Sequence, residues 1–244
     1  MLSVTEFEDL LSSYQPLCFA HIPKTAGSTF VEHFRAHAAQ ETTFWYSPEQ
    51  RRLFHSAKDL GNGPATRVCG GHFAIHDFLP RCGENAMFLS FVRHPVTRLV
   101  SYYLFASRSS ARHETANAAR ELQLYDFLQY LETHRPRILF NQQCRFLSAS
   151  NDLAQDMAIR FDDVQSAWKG LTLFLALSSA CNDVTRRVAG VALNRPVDSV
   201  QKRKVTRERP RDLPDERSRQ YILETNTEDL KLFNAQGIYD GRAE

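Results

Sequence analysis

No stretch of this 244-residue chain reaches the roughly 18–20 consecutive apolar residues that a membrane-spanning helix needs. Residues 1–15 are acidic and lack the basic start and apolar run of a secretion signal, so the expectation is a cytoplasmic protein with no membrane span. Charge of one sign is scarce as well. A net charge of +2 is too small to imply a nucleic-acid partner, and any preference for anions has to come from local clusters. The five cysteines are odd in number, scattered and without a C-x-x-C pair, which argues against a disulfide framework or a zinc site and for reduced thiols. His33 and His37, and His72 and His76, stand four apart, yet neither pair has an evident third ligand, so no metal is expected. The phosphate-binding pattern G-x-x-x-x-G-K-[S/T] is also missing, and with it the usual signature of a nucleoside triphosphate with magnesium.

What is present is ordinary in bulk and organised in pattern. Hydrophobic residues at 43% and charged residues at 24% suit a globular chain with a sizeable core. Short apolar runs over 17–22, 67–69, 86–92 and 171–177 predict strands covered on both faces. Helical periodicity predicts helices over 4–13, 29–39, 49–60, 96–106, 124–134, 151–168, 179–192, 214–223 and 226–234. Ser3 and Glu6 form a capping box at the first of these. Residues 107–121, rich in Ser, Arg and Ala, predict an exposed insertion. Strands alternating with helices imply an α/β fold of three layers, α/β/α, around a mostly parallel sheet. A single domain over 1–244 is expected, with its core at about 17–192 and a basic loop and helices over 195–236.

Two segments carry the chemistry. In Phe19-Ala20-His21-Ile22-Pro23-Lys24-Thr25-Ala26-Gly27-Ser28-Thr29-Phe30, an apolar strand ends at a turn of small and hydroxyl residues that opens a helix. Backbone N–H groups at such a helix start attract anions. Ala26 and Gly27 would let a phosphate approach the backbone, Ser28 and Thr29 add hydroxyls, and Lys24 adds a mobile charge. The second segment, Phe91-Val92-Arg93-His94-Pro95 through Ser101, again runs from strand to helix. Arg93 at the strand's carboxyl end faces the crevice where α/β sheets bind ligands, and Ser101, eight residues on, can share its side. A guanidinium and a hydroxyl so placed suit a terminal phosphate, whereas Arg98 is expected to pair with a carboxylate on the helix surface.

Together, Pro23-Lys24-Thr25-Ala26-Gly27-Ser28-Thr29 and Arg93-His94-Pro95 through Ser101 resemble the sulfotransferases that use 3′-phosphoadenosine 5′-phosphosulfate (PAPS), in particular carbohydrate enzymes of the uronyl and heparan sulfate 2-O type. The resemblance implies a P-loop-like core in which residues 24–29 hold the 5′-phosphosulfate of the co-substrate. Arg93 and Ser101 would then hold its 3′-phosphate. It implies that Lys24 stabilises charge on the departing bridging oxygen, and that His72 in Gly70-Gly71-His72 is the general base. Those relatives carry His-Gly-His where this chain has Gly70-Gly71-His72. The basic stretch 195–211, which holds seven cationic residues against two carboxylates, has two readings: a loop in which Arg203, Lys204, Thr206 and Arg207 are candidates for further phosphate contacts, as the resemblance implies, or a site for an anionic acceptor such as a sulfated glycan. The implied partner is a hydroxyl acceptor, on a carbohydrate. Two alternatives stay open: an ATP-dependent phosphotransferase, and a non-catalytic nucleotide-binding module of the same fold.

Overall fold

The computed structural model describes residues 1–11, 16–40, 42–57, 60, 67–82, 86–192 and 214–241. Its centre is a sheet of five strands, β1 (Leu17–Ala20), β2 (Thr42–Trp45), β3 (Val68–Gly71), β4 (Met87–Val92) and β5 (Thr172–Leu177), in the order β2-β3-β1-β4-β5. Every pairing is parallel. The outer edge of β5 is covered where Tyr239 bridges Ala176 and exchanges backbone hydrogen bonds with Leu175 and Leu177. An unpaired edge would invite strand addition.

The helices are α1 (Val4–Leu11), α2 (Gly27–His37), α3 (Pro48–Ser56), α4 (Ile75–Cys82), α5 (Pro95–Arg108), α6 (Glu114–Glu121) and α7 (Leu124–His134). They continue as α8 (Pro136–Leu139), α9 (Gln142–Leu147), α10 (Asn151–Gln155), α11 (Phe161–Ser166), α12 (Cys181–Ala192), α13 (Glu216–Thr225) and α14 (Thr227–Phe233). Because successive strand residues point to opposite faces, Leu17, Phe19, Leu89, Phe91 and Phe174 pack against α1, α2 and α12. Cys18, Ala20, Phe88, Leu173 and Leu175 pack on the other face with Phe54, Phe78, Leu147 and Leu232. A third apolar cluster, with Leu99, Phe127, Leu131 and Ile222, joins α5, α6, α7 and α13. The architecture is therefore α/β/α around a parallel sheet, as the strand and helix pattern implies.

Several expectations are corrected. Part of the expected insertion at 107–121 is α6, which buries Thr115, Ala116 and Ala119. Its apolar contribution comes from small residues, a weak signal in a stretch rich in Ser and Arg. The single helix expected over 151–168 is two short ones, α10 and α11, each ended by its own cap. Strand β2 and helices α4, α8 and α9 have no counterpart in the sequence reading; α4 carries Pro80 inside it, which reads as a breaker. The Ser3–Glu6 capping box forms, with Ser3 N donating to Glu6 Oε2 at 2.8 Å.

This topology positions a crevice. The chain leaves β1 toward β2 on one side of the sheet and leaves β4 toward β5 on the other, although β1 and β4 are neighbours. Connections diverging in this way open a cleft at the carboxyl ends of the two strands.

Candidate active site

The loop from β1 to α2 is a tight, strained turn. Lys24 and Ala26 both have left-handed backbone, at φ 71° and 73°. That conformation costs a non-glycine residue about 1–2 kcal/mol, and such strain gathers at functional sites. Thr25 is fully buried, and its hydroxyl donates to the carbonyl of Ile22 at 2.8 Å. Its side chain thus braces the turn from within. A Cβ at Gly27 would lie 2.6 Å from His21 Nε2 and 2.7 Å from Phe19 Cζ, so the absence of a side chain there lets the His21 ring pack against the turn. Ala26, Ser28 and Thr29, with Lys24, do line the crevice.

Arg93 follows β4 and reaches across to this loop. Its Nη1 donates to the Lys24 carbonyl at 3.1 Å, and its Nε donates to Thr97 Oγ1 at 3.2 Å. Both loops therefore meet around one cavity of about 510 Å³, which Arg93, Ser101, Lys24, Ser28 and Thr29 all line. That volume falls within the usual range for a small-ligand site. Lys24 Nζ sits 4.2 Å from the ring centroid of Phe105, an exposed residue of α5 at the same cavity. Arg108 supplies a further guanidinium, and no carboxylate appears among the described lining residues. Arg98 is not the surface group expected. It is fully buried and donates to Gln142 Oε1 at 2.5 Å and to the Ile138 carbonyl at 3.1 Å.

His72 enters from the end of β3. Its Nδ1 lies 2.8 Å from the carbonyl oxygen of His21. A carbonyl only accepts, so Nδ1 carries the proton and Nε2 keeps a lone pair. Burial lowers the pKa of His72, the bond to the His21 carbonyl opposes that, and Arg51 and Lys24 add to the lowering. The His21 ring lies against it, centroid to centroid at 4.5 Å, and is hydrogen bonded through Nδ1 to Tyr46 Oη at 2.6 Å. Burial, then His72 and Lys24, push the pKa of His21 well down. Burial raises that of Tyr46, so the phenol keeps its proton. Gly70 pairs with Phe19 of β1 and Phe44 of β2, and a Cβ at Gly70 would lie 2.8 Å from the Phe19 carbonyl oxygen. No larger side chain fits at that position, and the second imidazole beside His72 comes instead from His21.

His21 and Tyr46 join the site beyond the residues expected from the sequence; the local signal for His21 is its place one residue past the end of β1, beside the turn at 23–27. Cys18, Cys69 and Cys82 also converge, with Cys18 Sγ 3.1 Å from Cys82 Sγ and 3.7 Å from Cys69 Sγ. Distant in sequence, they meet only because β1 pairs with β3 and α4 returns beneath them. Burial raises the pKa of Cys18, and the neighbouring thiols of Cys69 and Cys82 add to the rise. Arg203, Lys204, Thr206 and Arg207 lie outside the described residues. Among the described residues no helix is long and apolar enough to cross a membrane. A family model described as the sulfotransferase family matches residues 10–239. No curated protein matches the chain.

Proposed function

The chain belongs to the sulfotransferase family, and from that premise we propose that it moves a sulfuryl group from PAPS to a hydroxyl of a carbohydrate acceptor. The observation that carries this reading is the meeting of the two anion loops in one cavity, with Arg93 bonded to the Lys24 carbonyl. A donor with negative groups at its 5′ and 3′ ends needs two such cationic ends within one ligand's length.

In this mechanism the 24–29 turn and the start of α2 receive the 5′-phosphosulfate, while Arg93 and Ser101 receive the 3′-phosphate. The acceptor oxygen attacks sulfur in line, and the bond from sulfur to the bridging phosphate oxygen breaks. Like phosphoryl transfer, this step has a loose transition state, so positioning and charge stabilisation do most of the work. Lys24 leaves the Phe105 face and meets the charge that grows on the bridging oxygen. His72 Nε2, basic because Nδ1 is committed to the His21 carbonyl, takes the acceptor proton. The depressed pKa of His72 supports the role, since the base is neutral before the reaction.

The test is sulfate transfer from labelled PAPS over a panel of carbohydrate acceptors by the wild-type chain and its variants Lys24→Ala and His72→Ala. Loss of a general base is expected to slow turnover by about 10²–10⁴-fold while adenosine 3′,5′-bisphosphate still binds. Variants that bind this nucleotide and transfer sulfate at the wild-type rate would remove both roles. Tight binding without turnover over the whole panel would favour a non-catalytic module.

A further inference from the structure

The turn that carries Arg93 is held from outside the cavity. Gln143, the second residue of α9, is fully buried and is not a lining residue. Its Oε1 accepts from the Arg93 backbone N–H at 2.8 Å, and its Nε2 donates to the Arg93 carbonyl at 2.8 Å. The orientation of this amide admits no alternative, because a backbone N–H only donates and a carbonyl only accepts. Two bonds from one planar group to the N–H and C=O of one residue fix that residue's backbone on both sides.

Gln143 is itself positioned by α14. The carboxylate of Asp229 accepts from the Gln143 N–H at 3.0 Å through Oδ2 and from the Cys144 N–H at 2.9 Å through Oδ1. Asn141 returns the favour: its Oδ1 accepts from the N–H groups of Glu228 and Asp229, both at 3.1 Å. Asn226 Oδ1 closes the set by accepting from the Asn141 N–H at 3.1 Å. The starts of α9 and α14 thus cap each other, with Asp229 and Asn226 fully buried.

We infer that Gln143, locked by Asp229, is a positioning residue that sets where the Arg93 guanidinium stands in the cavity, and so sets the preference for a nucleotide bearing a 3′-phosphate. The inference rests on the proposed donor reading. The chain of contacts runs from Asp229 to the Gln143 backbone, from the Gln143 side chain to the Arg93 backbone, and from Arg93 Nη1 to the Lys24 carbonyl. Without Gln143 the Arg93 N–H and C=O would lose these partners, and the backbone would shift to recover others. A small displacement of a group that grips one phosphate weakens that grip far more than the grip on the other phosphate.

The experiment compares the affinities of adenosine 3′,5′-bisphosphate and adenosine 5′-phosphate, by calorimetry, for the wild type, Gln143→Ala, Gln143→Glu, Asp229→Asn, Arg93→Ala and the double variant Arg93→Ala/Gln143→Ala. Gln143→Glu keeps the shape of the side chain but sets an oxygen against the Arg93 carbonyl, so it serves should the alanine variant fail to fold. The wild type is expected to prefer the bisphosphate. Each clamp variant is expected to lose about tenfold or more of that preference, with 5′-phosphate affinity little changed. The double variant should lose no more than Arg93→Ala alone. Amide exchange at Arg93 should quicken in Gln143→Ala. A folded clamp variant that retains the full preference, or one that weakens both nucleotides equally, overturns the positioning role. A wild type with no preference overturns the donor reading, and the inference with it.

Discussion

His72 and His21 face each other at 4.5 Å between ring centroids, both lowered in pKa chiefly by burial. In the folded chain they resist protonation, whereas in the unfolded chain they titrate as ordinary imidazoles near about pH 6.5. Below that pH the unfolded state binds more protons than the folded state, so stability falls as the pH falls. Above it the two histidines make no pH-dependent contribution. Scanning calorimetry at about pH 7.5 and about pH 5.5 should therefore show a drop in melting temperature, and the drop should be smaller in His21→Gln. An equal drop in that variant would mean that His21 is not the group resisting the proton. For turnover the same displacement predicts a rate that stays level across neutral pH. It should decline only below the range of a free imidazole, because His72 acts as a base in its neutral form.

At the scale of elements, the mutual capping of α9 and α14 decides whether two short helices form at all. Helices of this length do not persist alone, since nucleation costs more than a few hydrogen bonds return. Asn141 stands at their junction with left-handed backbone, φ 43°, and its side chain satisfies two N–H groups at the start of α14. Asn141→Ala removes these acceptors and places a Cβ-bearing residue without local hydrogen bonding in the left-handed region. The expected loss is about 2–3 kcal/mol in denaturant unfolding. Asn141→Gly also loses the caps but relieves about 1 kcal/mol of backbone strain, so its midpoint should lie between alanine and wild type. Equal midpoints for the two variants would mean that the side-chain caps, and not the backbone conformation, carry the whole effect.

For the molecule as a whole, the cavity gathers Lys24, Arg93 and Arg108 while the net charge of the chain is only +2. With three cationic side chains and no carboxylate among the described lining residues, the cavity suits a polyanion. Adenosine 3′,5′-bisphosphate at a hundred times its Kd should therefore stabilise the fold by about 2.7 kcal/mol, and thermal unfolding should report the rise. ATP with magnesium should raise the melting temperature less at the same concentration. The reverse order would favour an ATP-dependent phosphotransferase. The shift from the bisphosphate should shrink as salt is added, since screening weakens the attraction that guides it.

The amino-acid sequence by itself determined the layers of the fold and the two strand-to-helix loops that line the cavity, because both are written in local terms. A run of apolar residues that ends in Pro23-Lys24-Thr25-Ala26-Gly27, or in Arg93-His94-Pro95, marks a strand, a turn and a helix start whatever surrounds it. Which groups stand beside those loops is not local. His21 becomes the neighbour of His72 only because β1 pairs with β3, and Gly70 has no room for a side chain for the same reason. The three thiols of Cys18, Cys69 and Cys82 are gathered by that pairing and by the return of α4. Gln143 lies 50 residues from Arg93, and Asp229 lies 86 residues from Gln143. Their hydrogen bonds leave no periodicity to detect, since contacts between distant segments depend on where the backbone has carried each of them. Tertiary structure alone decided what holds the Arg93 turn in place.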